Sequence, residues 1–143
     1  LGFETIENIT RADIAYRISG KDLTELFVSG AKTLLSAMVD NPDSISPGIK
    51  KNIKLRERDL EWLFFNFLQE LIFLKDAESL LLVPEKIEIS QAKHGYYCKG
   101  SMAGEKIEAG KHHLKVDVKA VTMHKYKLTN HDGIWVATVV LDV

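Results

Sequence analysis

Cysteine occurs once in the 143 residues, at Cys98, so no disulfide closes within the chain and a paired-cysteine metal or redox site is excluded. A lone cysteine in a strand-like stretch reads as a small buried hydrophobe rather than a nucleophile. Only three prolines occur, there is no low-complexity tract or internal repeat, and Asn41 to Lys51, with Pro42 and Pro47, is the one obvious long loop. No apolar run is long enough to span a bilayer: Leu60 to Leu74 is short and interrupted by Glu61, Asn66, Gln69 and Glu70. The first residues, Leu-Gly-Phe-Glu-Thr-Ile-Glu-Asn, lack the basic region and apolar stretch of a secretory signal. The expected compartment is the reducing cytoplasm, without membrane association. Excess charge is missing as well. Nineteen basic residues against twenty acidic ones leave a net charge of −1, too little to hold a polyanion over the whole surface. Any involvement with RNA is therefore local or indirect.

Enzyme signatures are also missing. There is no Gly-rich phosphate loop, no G-x-G-x-x-G after a strand, no G-x-S-x-G elbow and no H-E-x-x-H. The histidines, at 94, 112, 113, 124 and 131, are not spaced as a zinc pair on a helix. His112 and His113 are adjacent in a strand-like stretch that sends their rings to opposite faces, and surface or strand-edge positions are expected for all five. Lys111, Lys115, Lys119, Lys125 and Lys127 form a basic stretch that reads first as a solvated sheet face and second as an anion-binding patch. By themselves, Asp13 and Asp142 pass as turn or edge residues.

What is present is hydrophobic periodicity on a 45% hydrophobic, 27% charged composition, that of an ordinary globular chain. At this length a single domain over residues 1–143 is expected, burying roughly two-thirds of the surface of the unfolded chain. Leu23, Leu26, Phe27, Leu34, Leu35 and Met38 share one helical face, with Ser19 and Asp22 spaced as a capping box, and Asp40-Asn41-Pro42 stops the helix. A second helix runs through Leu60, Leu63, Phe64, Phe67, Leu68, Leu71 and Ile72, with Asp59 at its N-cap. Trp62 and Phe65 widen its stripe and predict a central place in the core. Elsewhere the period is two: Ile53 and Leu55, Ile87 and Ile89, and Leu114, Val116 and Val118 alternate with polar residues. Shorter strands are expected at Phe3 to Glu7, Ile14 to Ile18 and Tyr96 to Ser101. Val121 to Leu128 and Ile134 to Val143 form a hairpin whose Asp132-Gly133 suits the positive φ angles of a tight turn. The fold class is α+β: a largely antiparallel β-sheet with two helices packed on it.

Four segments carry a family resemblance. Thr10-Arg11-Ala12-Asp13-Ile14 stands where the archease family has His-Thr-Ala-Asp-Ile, and Asn66-Phe67-Leu68-Gln69-Glu70-Leu71 resembles its Asn-Trp-Leu-x-Glu-Leu. The most specific match is C-terminal. Val118-Lys119-Ala120-Val121-Thr122-Met123-His124 and Gly133-Ile134-Trp135-Val136-Ala137-Thr138-Val139-Val140-Leu141-Asp142-Val143 follow the family pattern position by position. The chain resembles an archease along nearly its whole length. It departs at Thr10 and Arg11, and Arg11 sets a positive charge beside Asp13, which opposes a cation there unless the guanidinium points away.

The resemblance implies a non-catalytic protein that activates an RtcB-type RNA ligase. It would promote the ligase's GTP- and metal-dependent guanylylation and its multiple turnover in tRNA splicing or RNA repair, so that association with tRNA is indirect. It also implies a divalent metal ion, calcium, magnesium or manganese, on Asp13, Asp142 and the terminal carboxylate of Val143, since hard cations take oxygen ligands. Lys119 would be a point charge for a nucleotide phosphate or an acidic ligase residue. The alternative is a general protein chaperone or protein-binding module, which needs an exposed apolar patch. A weaker third reading is a small metal-dependent hydrolase.

Overall fold

The computed structural model describes the backbone of residues 2–10 and 13–143, and the side chains of 2–6 and 13–143. Its elements follow the order β1 (Phe3–Thr10), β2 (Asp13–Gly20), α1 (Leu23–Met38), β3 (Ile49–Glu57), α2 (Leu60–Glu78), β4 (Leu80–Ala92), β5 (Gly95–Lys106), β6 (Ala120–His131) and β7 (Ile134–Asp142). Every ladder is antiparallel, as the α+β expectation requires. The strands divide into two sheets, one ordered β1-β2-β7-β6 and one ordered β3-β5-β4.

The helices pack on both sheets and share with them one hydrophobic cluster, in which Phe27, Phe64, Phe67 and Leu141 are fully buried. Gly30 lets α1 approach α2, because a Cβ there would lie 2.8 Å from the Phe64 ring. Phe65 joins the core as expected. Trp62 does not: it stays 43% exposed and meets the Phe65 ring edge-on, because a 19-residue helix touching the core on one side must leave its other side to solvent. Asp132 and Gly133 adopt φ of 53° and 86°, the left-handed pair that closes the β6–β7 hairpin. Among the described residues no helix is long and apolar enough to cross a membrane.

Three further expectations, on helix caps and a strand, are corrected. Asp22, rather than Ser19, caps α1, its carboxylate accepting from Glu25 N at 2.8 Å. Asp59 is the N-cap residue of α2 but makes no side-chain cap bond. Leu114, Val116 and Val118 form no strand; apart from a single bridge between Leu114 and Val39, the N–H groups of Lys115 and Val116 donate to the carbonyls of Met38 and Ala37. Those carbonyls end a helix with no basic residue in its last turn, so they compete for donors that a strand would otherwise use. Of the three alternating apolar residues, Val118 is completely buried while Leu114 stays 55% exposed.

The histidine and cysteine readings meet different outcomes. His112 is buried, with Nδ1 accepting from Glu108 N at 2.9 Å, against the surface or strand-edge position expected; His94, His113, His124 and His131 are exposed. Burial pushes the Cys98 thiol up to about 12, so it is not a thiolate near neutral pH.

Candidate functional site

Both aspartates singled out from the sequence lie at the end of the four-stranded sheet. β2 starts at Asp13, β7 ends at Asp142, and the ladder register sets the two directly opposite each other. Opposed residues of an antiparallel pair have Cα atoms about 4.5–5.5 Å apart and side chains on the same face. Ile14, Tyr16 and Ile18, with Val139 and Leu141, belong to the core. By alternation the two carboxylates therefore project from the face turned away from the helices. Asp142 is also flanked on its other side by Ala120, the first residue of β6.

Lys119 sits immediately before β6. Its N–H donates to the Asp142 carbonyl at 2.8 Å while its side chain is exposed. Val143 packs its side chain against the core. The structure thus gathers Asp13, Asp142, Lys119 and Val143 at one sheet end. Arg11 lies outside the described residues, and so does the side chain of Thr10.

Sequence reasoning missed the residues that hold this end in place. Lys75, near the end of α2, is buried, and its ammonium donates to the Asp117 carboxylate at 2.6 Å and to the Val118 carbonyl at 2.7 Å, with Asp76 a further 2.7 Å contact. Burial by itself lowers its pKa, but the hydrogen bonds to Asp117 and Asp76 outweigh that and hold it above the ordinary lysine value. Gln69 accepts from Val121 N at 2.9 Å, so α2 fixes the chain on both sides of Lys119. Thr122 Oγ1 is buried with no hydrogen-bond partner among the described residues. It stands opposite Val140, one step along the same face from the Ala120–Asp142 pair. The lysine at position 75 carried one available signal, a charged residue inside an apolar helical stripe. Among the described residues no group of three or more His, Cys, Asp or Glu that could hold a metal ion is assembled.

The lysine stretch does not form one patch. Lys111 pairs with Glu105, Lys115 donates to the Ser36 carbonyl, and Lys125 occupies a left-handed position in a bulge of β6.

A profile of the Archease protein family matches residues 3–143. The chain belongs to the archease family. It is 37% identical over 133 residues to the protein archease of Thermococcus kodakarensis, covering 92% of this chain and 93% of that protein. The protein archease of Methanothermobacter thermautotrophicus is 30% identical over 142 residues, 99% of each chain. The solution structure of a Methanobacterium thermoautotrophicum protein superposes with a TM-score of 0.86 at 30% identity, over 99% of both chains. An archease from Thermotoga maritima, described as a possible chaperone, gives a TM-score of 0.64 at 23% identity over 94% of this chain and 93% of that one. In this archease the C-terminal motif is therefore the structure already described: Lys119 to His124 lead into and along β6, and Gly133 to Asp142 build β7.

Proposed function

We propose that this protein is a non-catalytic activator of an RtcB-type RNA ligase, holding a divalent cation (calcium, magnesium or manganese) between Asp13 and Asp142 and presenting it, with Lys119, to the ligase. The observation that carries the reading is the opposed aspartate pair. Like charges directly opposite in a ladder repel, and a cation between them turns that cost into an attraction. The donor chemistry fits such an ion, since carboxylate and main-chain oxygens are what hard divalent cations take; a main-chain oxygen of Val143 would add to the two carboxylates. The cation supplies positive charge that a ligase active site or a nucleotide phosphate can use. Lys119 adds a second positive group, held by its own N–H bond to Asp142. The protein would be cytoplasmic, and its aspartate end would act on tRNA only through the ligase.

The chaperone reading has one observation of its own. Trp62 and Phe73 on α2 are 43% and 59% exposed, and both fall on the helix's outer side. A single experiment separates the readings: multiple-turnover RNA ligation by an RtcB-type ligase, with GTP and manganese, at substoichiometric amounts of this protein. The wild type should raise turnover, and Asp13→Ala, Asp142→Ala and Lys119→Ala should each remove most of the gain while remaining folded. Activation that survives all three substitutions, or protection of unrelated aggregating proteins by wild type and variants alike, would favour the chaperone.

A further inference from the structure

The three-stranded sheet turns one face to the core and one to solvent, and the solvent face is basic. On β3 the outward positions include Lys50, Lys54 and Arg56, which alternate with the inward Ile53 and Leu55. The register then aligns residues far apart in sequence: Lys54 with Lys99 and Glu88, Arg56 with Tyr97 and Ser90, and Asn52 with Ser101 and Lys86. Two carboxylates accompany these cations, and each is already paired, Glu85 with Lys50 at 2.8 Å and Glu88 with Lys86 at 3.0 Å. Lys54, Arg56 and Lys99 form no ion pair within 4 Å among the described residues. A shallow concavity of about 300 Å³ runs across the three strands between Lys54, Lys86 and Lys99. Beside it the Arg56 guanidinium lies 5.3 Å from the centre of the Tyr97 ring.

Two features separate this face from an ordinary solvated one. Lys54 and Lys99 stand directly opposite each other, and Glu88, across from Lys99 on β4 and already paired with Lys86, offsets only part of a repulsion that a bound anion would relieve. The positive excess also sits on a chain whose net charge is −1, so the rest of the molecule is acidic and an anionic partner is directed to this sheet.

We infer that the outer face of the β3-β5-β4 sheet binds single-stranded RNA, its lysines touching the phosphates and the Arg56–Tyr97 pair receiving a base. A basic track with an aromatic or guanidinium platform is how sheets hold single strands, whereas a double helix or a plain polyanion gains nothing from the tyrosine. The choice of RNA rests on the ligase reading; the surface belongs to a different sheet from the aspartate pair, so the two are tested separately.

The test is fluorescence anisotropy of an unstructured 20-nucleotide RNA with the protein alone, over a series of salt concentrations. Lys54→Glu combined with Lys99→Glu should weaken binding at least tenfold, and the slope of log K against log salt should fall by about 1.4, roughly 0.7 for each phosphate no longer neutralised. Tyr97→Ala should weaken it roughly fivefold or more, as removal of one stacking platform does, and Tyr97→Phe should restore it. Lys125→Glu combined with Lys127→Glu, the same charge change on the other sheet, should bind as the wild type does. Asp13→Ala should also bind normally even where ligase activation is abolished. No measurable RNA binding by the wild type, equal weakening in the two double variants, or full binding by Tyr97→Ala would each overturn the inference. Circular dichroism melts confirm that the variants compared are folded.

Discussion

Asp13 and Asp142 face each other across one step of the β2–β7 ladder, and two carboxylates so placed cost folding free energy until a cation lies between them. Under the proposed function, metal binding should be visible as stability. At a hundredfold excess over the dissociation constant, calcium, magnesium or manganese should stabilise the fold by about 2.7 kcal/mol, read as a rise in Tm. Asp13→Ala and Asp142→Ala should each lose the shift, and in metal-free buffer each should melt no lower than the wild type, because the repulsion is gone. A wild-type Tm indifferent to all three cations would remove the site. Thr122 belongs to the same scale: its buried hydroxyl, without a partner among the described residues, lies one step along this face, a placement that a threonine in a β-rich run does not disclose.

At the scale of elements, α2 fixes the chain on either side of Lys119, while β7 holds Lys119 itself through the Asp142 carbonyl. Lys75 bonds Asp117 and the Val118 carbonyl, and the preceding Lys115 and Val116 spend their N–H groups on the end of α1. Lys75→Met keeps the buried stem but leaves the Val118 carbonyl without its donor, which should destabilise the fold by roughly 1–3 kcal/mol. Asp76 and Asp117 are 56% and 73% exposed, so water takes over their charge and the destabilisation stays below that of a fully buried ion pair. The pH dependence has a defined sign. The Lys75 pKa is raised in the folded state above 10.5, so its contribution is complete below that value and is lost as pH climbs through the folded pKa. Denaturation curves of wild type and Lys75→Met should differ at neutral pH and converge in strong alkali; a constant difference across that range would show that Lys75 acts by packing alone.

For the whole molecule, the proposal places the working end at the tip of one sheet and leaves the helices and core as support. Adding a few Gly and Ser residues after Val143 should leave the core intact, since surface termini tolerate additions, and should set bulk beside Asp142 where the ligase would enter. The expected variant is folded, with the wild-type melting curve in metal-free buffer, and no longer supports multiple turnover. Full ligase activation by the extended protein at matched concentration and metal would sink the tip mechanism. A client-binding role through the outer side of α2 would be indifferent to the tail.

The sequence by itself determined the elements, because helix and strand periods are local. The stripe from Leu60 to Ile72, the alternation in β3 and β4, the β-rich run of β7 and the Asp132-Gly133 turn need no knowledge of distant residues, and each of the four family motifs is contiguous. Tertiary structure decided whatever depends on which strand lies beside which. Asp13 and Asp142 become a pair only through the β2–β7 register, and a shift of one residue would turn one of them into the core. Lys54 and Lys99 likewise meet only across β3 and β5, so the basic face was invisible in a linear charge count while the visible run of lysines from 111 to 127 dispersed. Leu114 to Val118 alternates as a strand does, yet the end of α1 offered its carbonyls first. Competition for backbone donors is settled by what comes within reach in the folded chain, and no period in a sequence records it.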